Sequence, residues 1–383
     1  MNPIFAGLPT TVFERMSSRA RELGAINLGQ GFPEVDGPLD IREAAARATI
    51  EESNQYPSMY GLPKLREAVA AHYRKFQGLD FEWPREVTIT SGATEALAAS
   101  FFGLIQPGDE VIAFQPLYDA YEPLVRQAGG VLRPVRLTPP DWRFTDEMLE
   151  AAAGPNTKFV VLNNPLNPSA TVYSAEDLEV LARFCVRRDL IAICDEVWEH
   201  VVMDGRHTPL IGLPGMRERT VKIGSAGKIF ALTGWKIGFI CAAQPLTAAI
   251  AKAHQFLTFT TAPNLQHAVA YGLGRDEGYF DAMREDLARS RARLIAGLRE
   301  AGFVTLPAQG TYFVCVDLAA SGFAIDDETF CTRLIEEAGV AAIPVSAFYV
   351  EQPVRSIVRF CFSKTDKTLD EAMRRLKAWR AQA

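Results

Sequence analysis

The chain has 383 residues, of which 48% are hydrophobic and 22% are charged, and its net charge is −6. This length suits two domains, and an acidic balance without basic clusters argues against a nucleic acid or an anionic membrane as partner. The six cysteines are scattered without a CxxC pair, and the five histidines lack metal spacing, so neither disulfides nor a metal site is predicted. Because the N-terminal stretch lacks a signal pattern and no apolar run is long enough to cross a membrane, we expect a cytoplasmic protein with small-molecule partners.

From about residue 86, short runs rich in Val and Ile alternate with helical patterns. Strands of this length between helices predict βαβ units, that is, an α/β fold with a mostly parallel sheet and helices on both faces. The strand-like runs are EVTIT, DEVIAF, VLRPVRL, KFVVLNN, LIAICDE, TVKIGSAG and KIGFICAA.

The pattern changes towards the end of the chain. A charged stretch with helical spacing, FDAMREDLARSRARLIAGLREAG, predicts a solvated linking helix, and TYFVCVDL, VAAIPVSAF and SIVRFCFS predict strands of a smaller α+β domain. We therefore divide the chain into 1–44, an arm and part of the small domain, 45–275, the large domain, and 276–383, the small domain.

Ligands of such sheets bind at the carboxyl ends of the strands, and four polar stretches follow predicted strands there. TSGATEAL at 90–97 opens a helix with small residues, as phosphate sites do, although an ordinary turn explains it too. NNPLNPSA at 163–170 could aim amides at a ligand or simply form a turn.

Charged residues follow the most apolar strands. Asp195 and Glu196 end LIAICDE, where a nearly buried carboxylate must become neutral, pair with a charge or hydrogen-bond a cation, unless it caps a helix. Lys228 follows TVKIGSAG, and its surroundings fail the patterns of a P-loop and of the Ser-x-x-Lys enzymes. Pyridoxal phosphate needs three groups of this kind. They are a lysine that bonds its carbonyl carbon, a turn that binds its phosphate, and a carboxylate that pairs with its pyridinium nitrogen.

At this point the chain resembles the fold-type-I pyridoxal-phosphate aminotransferases of class I/II over essentially its whole length. The order of motifs is as in that family, and LGQGFPE, GSAGK, TGWKIG and RFCFSK look most like the kynurenine aminotransferase, glutamine transaminase K and methionine aminotransferase group. The motifs are NLGQGFPE, QYPSMYGLPKLREAVA, TSGATEAL, QPLYDAYEP, NNPLNP, CDEVWEH, GSAGKIFALTGWKIG and VRFCFSK. The resemblance implies a seven-stranded sheet in the large domain.

The resemblance also implies roles for single residues. Lys228 would bond the cofactor covalently and then shuttle a proton, and Asp195 would pair with the pyridinium nitrogen. Asn167 would hydrogen-bond the cofactor O3′ and line the substrate pocket, Tyr118 would stack on the ring, and Trp198 would lie beside it.

Further positions would bind the phosphate and the substrate. The resemblance places the phosphate against the backbone of Ala93 and Thr94, Ser225 and Lys236, with Tyr56 of a second subunit, and thus implies a homodimer with shared active sites. The substrate would contact Arg359, which grips the α-carboxylate, Gly31, and Phe259 of the partner chain. A surface arginine on an edge strand is the alternative for Arg359.

Three positions depart from the family pattern. Trp198 stands where a tyrosine is usual, and indole only donates a hydrogen bond. Ala170 stands where the turn usually has glycine. Thr260 replaces the histidine of some relatives, which puts kynurenine in doubt.

The expected activity is a ping-pong transfer of the amino group of a neutral or aromatic L-amino acid, such as methionine, glutamine, phenylalanine or kynurenine, to a 2-oxo acid. Alternatives are a β-lyase of cysteine conjugates, an aminotransferase for an N-succinylated diamino acid, and a catalytically silent cofactor-binding regulator. The specificity depends on pocket shape.

Overall fold

The computed structural model describes residues 2–382 and contains thirteen strands within that range. They are β1 Ile26–Asn27, β2 Val87–Thr90, β3 Glu110–Gln115, β4 Val131–Arg136, β5 Thr157–Asn163, β6 Ile191–Asp195, β7 Thr220–Ser225, β8 Gly238–Ala242, β9 Val304–Thr305, β10 Phe313–Asp317, β11 Val340–Ala341, β12 Ile343–Pro344 and β13 Ile357–Cys361.

Seven of these strands form one large sheet in the order β2-β8-β7-β6-β5-β3-β4. Strand β8 runs antiparallel to both of its neighbours, and the other paired strands are parallel. The mostly parallel seven-stranded sheet that the sequence predicts is therefore confirmed, and every strand-like run named above contributes one of its strands.

Helices cover the sheet. Their bounds are α1 Pro3–Ala6, α2 Val12–Glu22, α3 Leu39–Glu51, α4 Pro63–Gln77, α5 Trp83–Glu86, α6 Gly92–Leu104, α7 Tyr121–Gln127, α8 Asp146–Ala152, α9 Ala175–Arg188, α10 Ala226–Ile229, α11 Gln244–Leu257, α12 Pro263–Leu273, α13 Glu277–Glu300, α14 Asp327–Arg333 and α15 Asp366–Arg380. The charged linking helix predicted from the sequence is α13, which begins after the N-cap Asp276. In the described part of the chain, no helix combines the length and the apolar character needed to span a bilayer.

The central strands are buried on both faces, which is why they read as continuous apolar runs. Along β3, Ile112 and Phe114 join the core on one side of the sheet, whereas Val111 and Ala113 join the core on the other side. This alternation follows from the two-residue period of a strand. Each fully buried large aliphatic side chain of this kind stabilises the fold by roughly 1.5–3 kcal/mol.

The second sheet belongs to the smaller part of the molecule. It is antiparallel, with the order β12-β13-β10-β9, and α13, α14 and α15 pack around it. A short parallel pair joins β1 to β11, so the N-terminal segment is held against the C-terminal region. The smaller α+β part is thus confirmed, while the domain boundaries near residues 44 and 275 stay a prediction.

Candidate active site

Nine of the residues singled out in the sequence line one cavity of about 260 Å³. The cavity lies beyond the carboxyl ends of β5, β6 and β7, where an α/β sheet places its ligands. These residues are Ala93, Thr94, Tyr118, Asn167, Asp195, Trp198, Ser225, Lys228 and Lys236. Residues up to 143 positions apart in the chain therefore meet in one place, since Ala93 and Lys236 both line the cavity.

One end of the cavity is built for an anion. Helix α6 begins at Gly92, whose φ of +76° suits glycine, so that the free N–H groups of the first turn face the cavity. Lys236 crosses directly over this turn, because a Cβ built on Gly92 would lie 3.1 Å from Lys236 Cε. The positive helix end, an ammonium group and the nearby Ser225 could hold a phosphate.

Asp195 supplies a buried carboxylate at the end of β6. Its Oδ2 accepts a hydrogen bond of 2.6 Å from the hydroxyl of Tyr121, whereas Oδ1 has no hydrogen-bond partner among residues 2–382. Burial raises the pKa of Asp195 to about 6, although the Tyr121 hydroxyl favours the ionised form. No helix starts at this point of the chain, so the alternative of a helix cap is wrong.

Sequence reasoning missed two residues that arrange this centre. Tyr121 lies three positions after Tyr118 in a quoted motif, and only its contact with Asp195 reveals its role. Asn163 donates to the Asp195 carbonyl at 2.9 Å and accepts from the Asn167 backbone N–H at 2.8 Å. It therefore fixes the loop that carries Asn167 relative to the end of β6.

Lys228 lies in the short helix α10, directly after β7. Its Nζ is 3.4 Å from the Tyr312 hydroxyl, 3.5 Å from the Gly31 carbonyl and 4.7 Å from the centre of the Trp198 ring. Burial lowers the pKa of the Lys228 amine to about 8, against the opposing charge of Asp195. A neutral amine is therefore available near physiological pH, as nucleophilic and basic lysines require.

Arg359 is buried, with 2% of its surface exposed, and lies on the inner strand β13. Its Nη1 donates to Asn167 Oδ1 at 2.6 Å and its Nη2 to the Gly29 carbonyl at 3.0 Å, while Nε has no acceptor in the described part of the chain. The alternative of a surface arginine on an edge strand is therefore wrong. Burial lowers the pKa of Arg359 to about 10, which still leaves the guanidinium charged at neutral pH.

The other predicted substrate and phosphate residues lie in two places. The Gly31 carbonyl is near Lys228, and a Cβ built on Gly31 would lie 2.8 Å from Phe313 Cζ. Tyr56 and Phe259 do not line the cavity. They contact each other on the outer surface, with ring centres 5.6 Å apart, and Tyr56 is 84% exposed.

The structure places the three residues that depart from the family pattern in different surroundings. Trp198 is buried and packs edge-on against Tyr312, with ring centres 4.4 Å apart. Ala170 keeps the left-handed backbone expected of glycine, with φ of +63°, and its carbonyl accepts from the N–H groups of Gln309 and Gly310. The turn beside Asn167 is therefore kept without a glycine. Thr260 lies on the exposed segment next to Phe259.

A second polar cluster lies behind the site. The carboxylates of Glu196 and Glu199 and the ring of His207 lie within 4.8 Å of one another, which is the spacing of metal ligands. The ammonium of the fully buried Lys222 pairs with both carboxylates, at 2.6 Å to Glu199. A cation of the protein itself thus lies between the two carboxylates and offsets part of their charge.

The residues around the cavity fit pyridoxal phosphate. The unpartnered Oδ1 of Asp195 is a buried acceptor that lacks a donor, and a pyridinium N–H supplies one. The glycine turn at the start of α6 leaves room for a phosphate beside Lys236, and the partly neutral Lys228 amine can bond an aldehyde.

The chain is similar to known proteins over nearly its whole length. The family model for aminotransferase class I and II matches residues 24–376. A probable N-succinyldiaminopimelate aminotransferase of Mycobacterium tuberculosis is 44% identical, with 96% of this chain and 95% of that protein covered. A solved structure of the N-succinyldiaminopimelate aminotransferase from that organism superposes with a TM-score of 0.96 at 43% identity, and it covers 99% of this chain and 100% of that one.

Two further relatives have other substrates in their names. The methionine aminotransferase of Escherichia coli is 38% identical, with 97% of this chain and 96% of that protein covered. The kynurenine–oxoglutarate transaminase 3 of Mus musculus is 35% identical, with 98% and 89% covered. The chain therefore belongs to the class I and II aminotransferases, which depend on pyridoxal phosphate.

Proposed function

We propose that this aminotransferase takes the amino group from an L-amino acid with a neutral side chain, aromatic or unbranched, and passes it to a 2-oxo acid in a ping-pong exchange. The observation that carries the proposal is the surroundings of Arg359. The guanidinium carbon lies 3.8 Å from the ring centre of Phe313, 5.1 Å from that of Phe348 and 5.6 Å from that of Phe13. Phe313 and Phe348 are buried against the guanidinium. These rings add no cation that could pair with a second carboxylate of the substrate, which favours the neutral side chains of methionine, phenylalanine, glutamine or kynurenine.

The chemistry can be divided between the cofactor and the protein. When bound, pyridoxal phosphate supplies an electron sink for negative charge at the substrate α-carbon. Asp195 would keep the ring nitrogen protonated, Tyr118 would stack on the ring, and Asn167, which accepts from Arg359, would donate to the cofactor O3′. The ring of Trp198 lies next to the amine of Lys228, with 4.7 Å between the amine nitrogen and the ring centre.

The remaining residues of the cavity would bind the phosphate and transfer the proton. Ser225, Lys236 and the N–H groups of Ala93 and Thr94 would hold the phosphate. Lys228 would hold the cofactor through its amine, and the free amine would take up the proton of the substrate α-carbon and donate it to the cofactor carbon. A pKa near 8 lets this amine act as a base near neutral pH.

A second candidate substrate is an N-succinylated diamino acid, which the 44% identity to the Mycobacterium tuberculosis protein favours. Such a substrate has further carboxylates, whose partners would have to come from outside the aromatic surroundings of Arg359. A third is a cysteine S-conjugate that loses its sulphur group as in a β-lyase, which would yield pyruvate and ammonia instead of a new amino acid.

We also propose a homodimer with shared active sites. Three large apolar or aromatic side chains are strongly exposed: Ile50 is 85% exposed, Tyr56 84% and Phe256 86%. The ring of Tyr56 contacts that of Phe259, which follows Phe256 by three positions, and adjoining exposed aromatic rings are typical of an interface. In a dimer, Tyr56 of the partner subunit would complete the phosphate site, and Phe259 of the partner subunit would wall the substrate pocket.

The experiment follows the absorption band of the protein loaded with pyridoxal phosphate, with Lys228→Ala in parallel. Single L-amino acids, added without a 2-oxo acid, should convert the long-wavelength band of the wild type, and kcat/KM from this half-reaction ranks the donors. Methionine and phenylalanine should exceed N-succinyl-LL-diaminopimelate. The reverse order would establish the second candidate, and release of pyruvate and ammonia from a cysteine conjugate would establish the third.

A further inference from the structure

Tyr312 lies immediately before β10 and contacts the amine of Lys228, although no sequence motif singled it out. It is 2% exposed, and its hydroxyl donates to the Gly31 carbonyl at 2.9 Å. The same hydroxyl oxygen is 3.4 Å from Lys228 Nζ, which is itself 3.5 Å from the Gly31 carbonyl. The amine, the hydroxyl and the carbonyl therefore form a triangle.

The donor and acceptor roles within this triangle follow from chemistry. A tyrosine hydroxyl has one proton, and the short bond to the Gly31 carbonyl uses it. The lone pairs of the hydroxyl oxygen are then free to accept from the Lys228 amine. Within residues 2–382, this oxygen and the Gly31 carbonyl are the acceptors within 3.5 Å of Lys228 Nζ.

Tyr312 also controls the surface on which the amine rests. Its ring packs edge-on against Trp198 at an interplanar angle of 89°, and the Lys228 amine lies 4.7 Å from the centre of the Trp198 ring. A cation over an aromatic ring is stabilised by the ring electrons. The face of Trp198 that meets the lysine is therefore held in place by Tyr312.

A second cavity beside Lys228 means that its side chain needs to be held in one position. This cavity of about 360 Å³ reaches Lys228 from the side of α13, and Tyr312 also lines it. Lys228 borders both cavities, so a freed lysine side chain could turn towards either one. The bonds to Tyr312 and to the Gly31 carbonyl keep its amine at the boundary, within reach of the substrate.

We propose that Tyr312 is a positioning residue for Lys228, which holds the free amine between the Gly31 carbonyl and the ring of Trp198 for proton transfer. The proposal rests on the role of Lys228 in the proposed function. Other charged or titratable groups act on the lysine as well: Asp195, Cys361, Arg359 and Lys236. None of these four changes when the Tyr312 hydroxyl is removed, so the hydroxyl can be tested by itself.

The first test uses the protein without cofactor. The rate at which cyanate carbamylates Lys228, followed by mass spectrometry as a function of pH, gives the pKa of this amine, since only the neutral amine reacts. Tyr312→Phe removes an acceptor from the charged form and should lower that pKa by about half a unit. The matched control is Tyr349→Phe, which removes a tyrosine bond of the same length, 2.9 Å to the Leu137 carbonyl, away from Lys228, and it should leave the pKa unchanged.

The second test uses the protein loaded with pyridoxal phosphate. In the amino-acid half-reaction, Tyr312→Phe should lower the maximal rate about tenfold, because proton transfer by Lys228 is disturbed. The amino-acid concentration at half-maximal rate should change less than about twofold, because Arg359 is untouched. Thermal unfolding confirms that the variant is folded.

A further variant keeps the test decisive if Tyr312→Phe is unstable. 3-Fluorotyrosine at position 312 preserves shape and makes the neutral oxygen a weaker acceptor, while burial, which raises the pKa of this hydroxyl, keeps it protonated. It should shift the Lys228 pKa in the same direction by less. If both variants match Tyr349→Phe in pKa and rate, the inference is overturned. If the wild type forms no band with pyridoxal phosphate, the proposed role of Lys228 fails, whereas the carbamylation result still decides whether Tyr312 holds the amine.

Discussion

The hydroxyl of Tyr121 lies 2.6 Å from Oδ2 of Asp195, while the other carboxylate oxygen of Asp195 has no partner in the described protein. Both side chains are buried. One oxygen of the carboxylate is thus fixed by the protein, and the other is left for a donor on the cofactor. Tyr121 orients Asp195 and at the same time favours its ionised form.

We expect Tyr121→Phe to weaken the binding of pyridoxal phosphate about tenfold, because a hydrogen bond to a charged group contributes roughly 1.5–3 kcal/mol. Without the hydroxyl, the pKa of Asp195 should rise above its value of about 6, so the carboxylate should protonate at a higher pH. Titration of the apoprotein with the cofactor, followed by absorbance at several pH values, measures both effects.

Tyr173→Phe is the control for this prediction. Tyr173 is also buried, but its hydroxyl bonds to none of the described residues. This variant should bind the cofactor like the wild type. Equal losses in the two variants would mean that the Tyr121 hydroxyl has no specific effect on Asp195.

A second prediction concerns the stability of the apoprotein. The amine of Lys228 has a pKa of about 8 in the folded protein, against 10.5 for an ordinary lysine. Between these values the unfolded chain binds more protons than the folded one, so the free energy of unfolding should rise with pH; below both values the full penalty of burying the ammonium applies. Lys228→Met lacks this penalty and should be more stable near neutral pH by about 2 kcal/mol, with allowance for the partial exposure of the lysine.

Urea denaturation over a pH series tests this prediction. The difference between Lys228→Met and the wild type should shrink steadily from neutral pH towards pH values above the ordinary lysine pKa. Lys252→Met removes an exposed lysine on α11, and its free energy of unfolding should change with pH in the same way as that of the wild type. Parallel curves for Lys228→Met as well would show that the folded protein does not disfavour the charged amine.

The sequence predicted the large sheet because its strands are buried on both faces and therefore leave continuous apolar runs, as in KFVVLNN. It could not predict the β1–β11 pair, since two strands of two residues each carry no periodicity. The nine predicted residues that line the cavity could be named from the sequence, because each follows a strand end or belongs to a family motif.

The residues that the sequence did not reveal act through contacts between distant segments. Tyr312 and Gly31 are 281 positions apart, and Tyr121 and Asp195 are 74 apart. An ordinary buried tyrosine looks the same in a sequence whether its hydroxyl is used or not. The burial of Arg359 was equally hidden, because alternation along a short strand does not distinguish an edge strand from the inner position of β13.

The third prediction concerns the buried charges behind the site. Although burial opposes ionisation, the ammonium of Lys222 and the ring of His207 hold the pKa of Glu196 at about 2. Lys222→Met would leave Glu196 and Glu199 buried without this cation, which should cost about 3–5 kcal/mol of stability at neutral pH. The triple variant with Glu196→Gln and Glu199→Gln removes the charges together and should recover most of the loss.

Chemical denaturation of these variants checks the third prediction, with Lys252→Met as the exposed control. The sign of the pH dependence is also fixed. Since the pKa of Glu196 is depressed in the folded state, its contribution is present above the ordinary value of 4.5 and is lost as the pH falls towards about 2. A single Lys222→Met variant as stable as the wild type would contradict the ion pair.

The fourth prediction concerns substrate binding by Arg359. Arg359→Lys keeps a charge but cannot present two parallel donors to a carboxylate while bonding Asn167 and the Gly29 carbonyl. We expect the affinity for amino acids in the half-reaction to fall about 100-fold, whatever the side chain of the substrate. Arg355→Lys, at an exposed arginine four positions earlier, is the control. Unchanged affinity in Arg359→Lys would assign the carboxylate to another residue.

The last prediction concerns the dimer. Phe256 is 86% exposed at the end of α11, close in sequence to Phe259, whose ring contacts that of Tyr56. Burial of such a ring in an interface contributes roughly 1.5–3 kcal/mol, and Phe256→Asp would place a charge there instead. We expect sedimentation equilibrium to show a dimer for the wild type and a monomer for Phe256→Asp. Val304→Asp, at a residue that is 43% exposed on β9, should stay dimeric.

The affinity for pyridoxal phosphate, measured in these variants, distinguishes loss of the dimer from loss of a single phosphate contact. The monomeric variant should bind pyridoxal phosphate more weakly, because it lacks Tyr56 of the partner subunit at the phosphate. Tyr56→Phe should weaken cofactor binding about tenfold and leave the dimer intact, since it removes only a hydroxyl from a phosphate contact. A wild-type monomer that binds the cofactor fully would mean that each active site is complete within one chain, and the exposed position of Tyr56 would then have no part in catalysis.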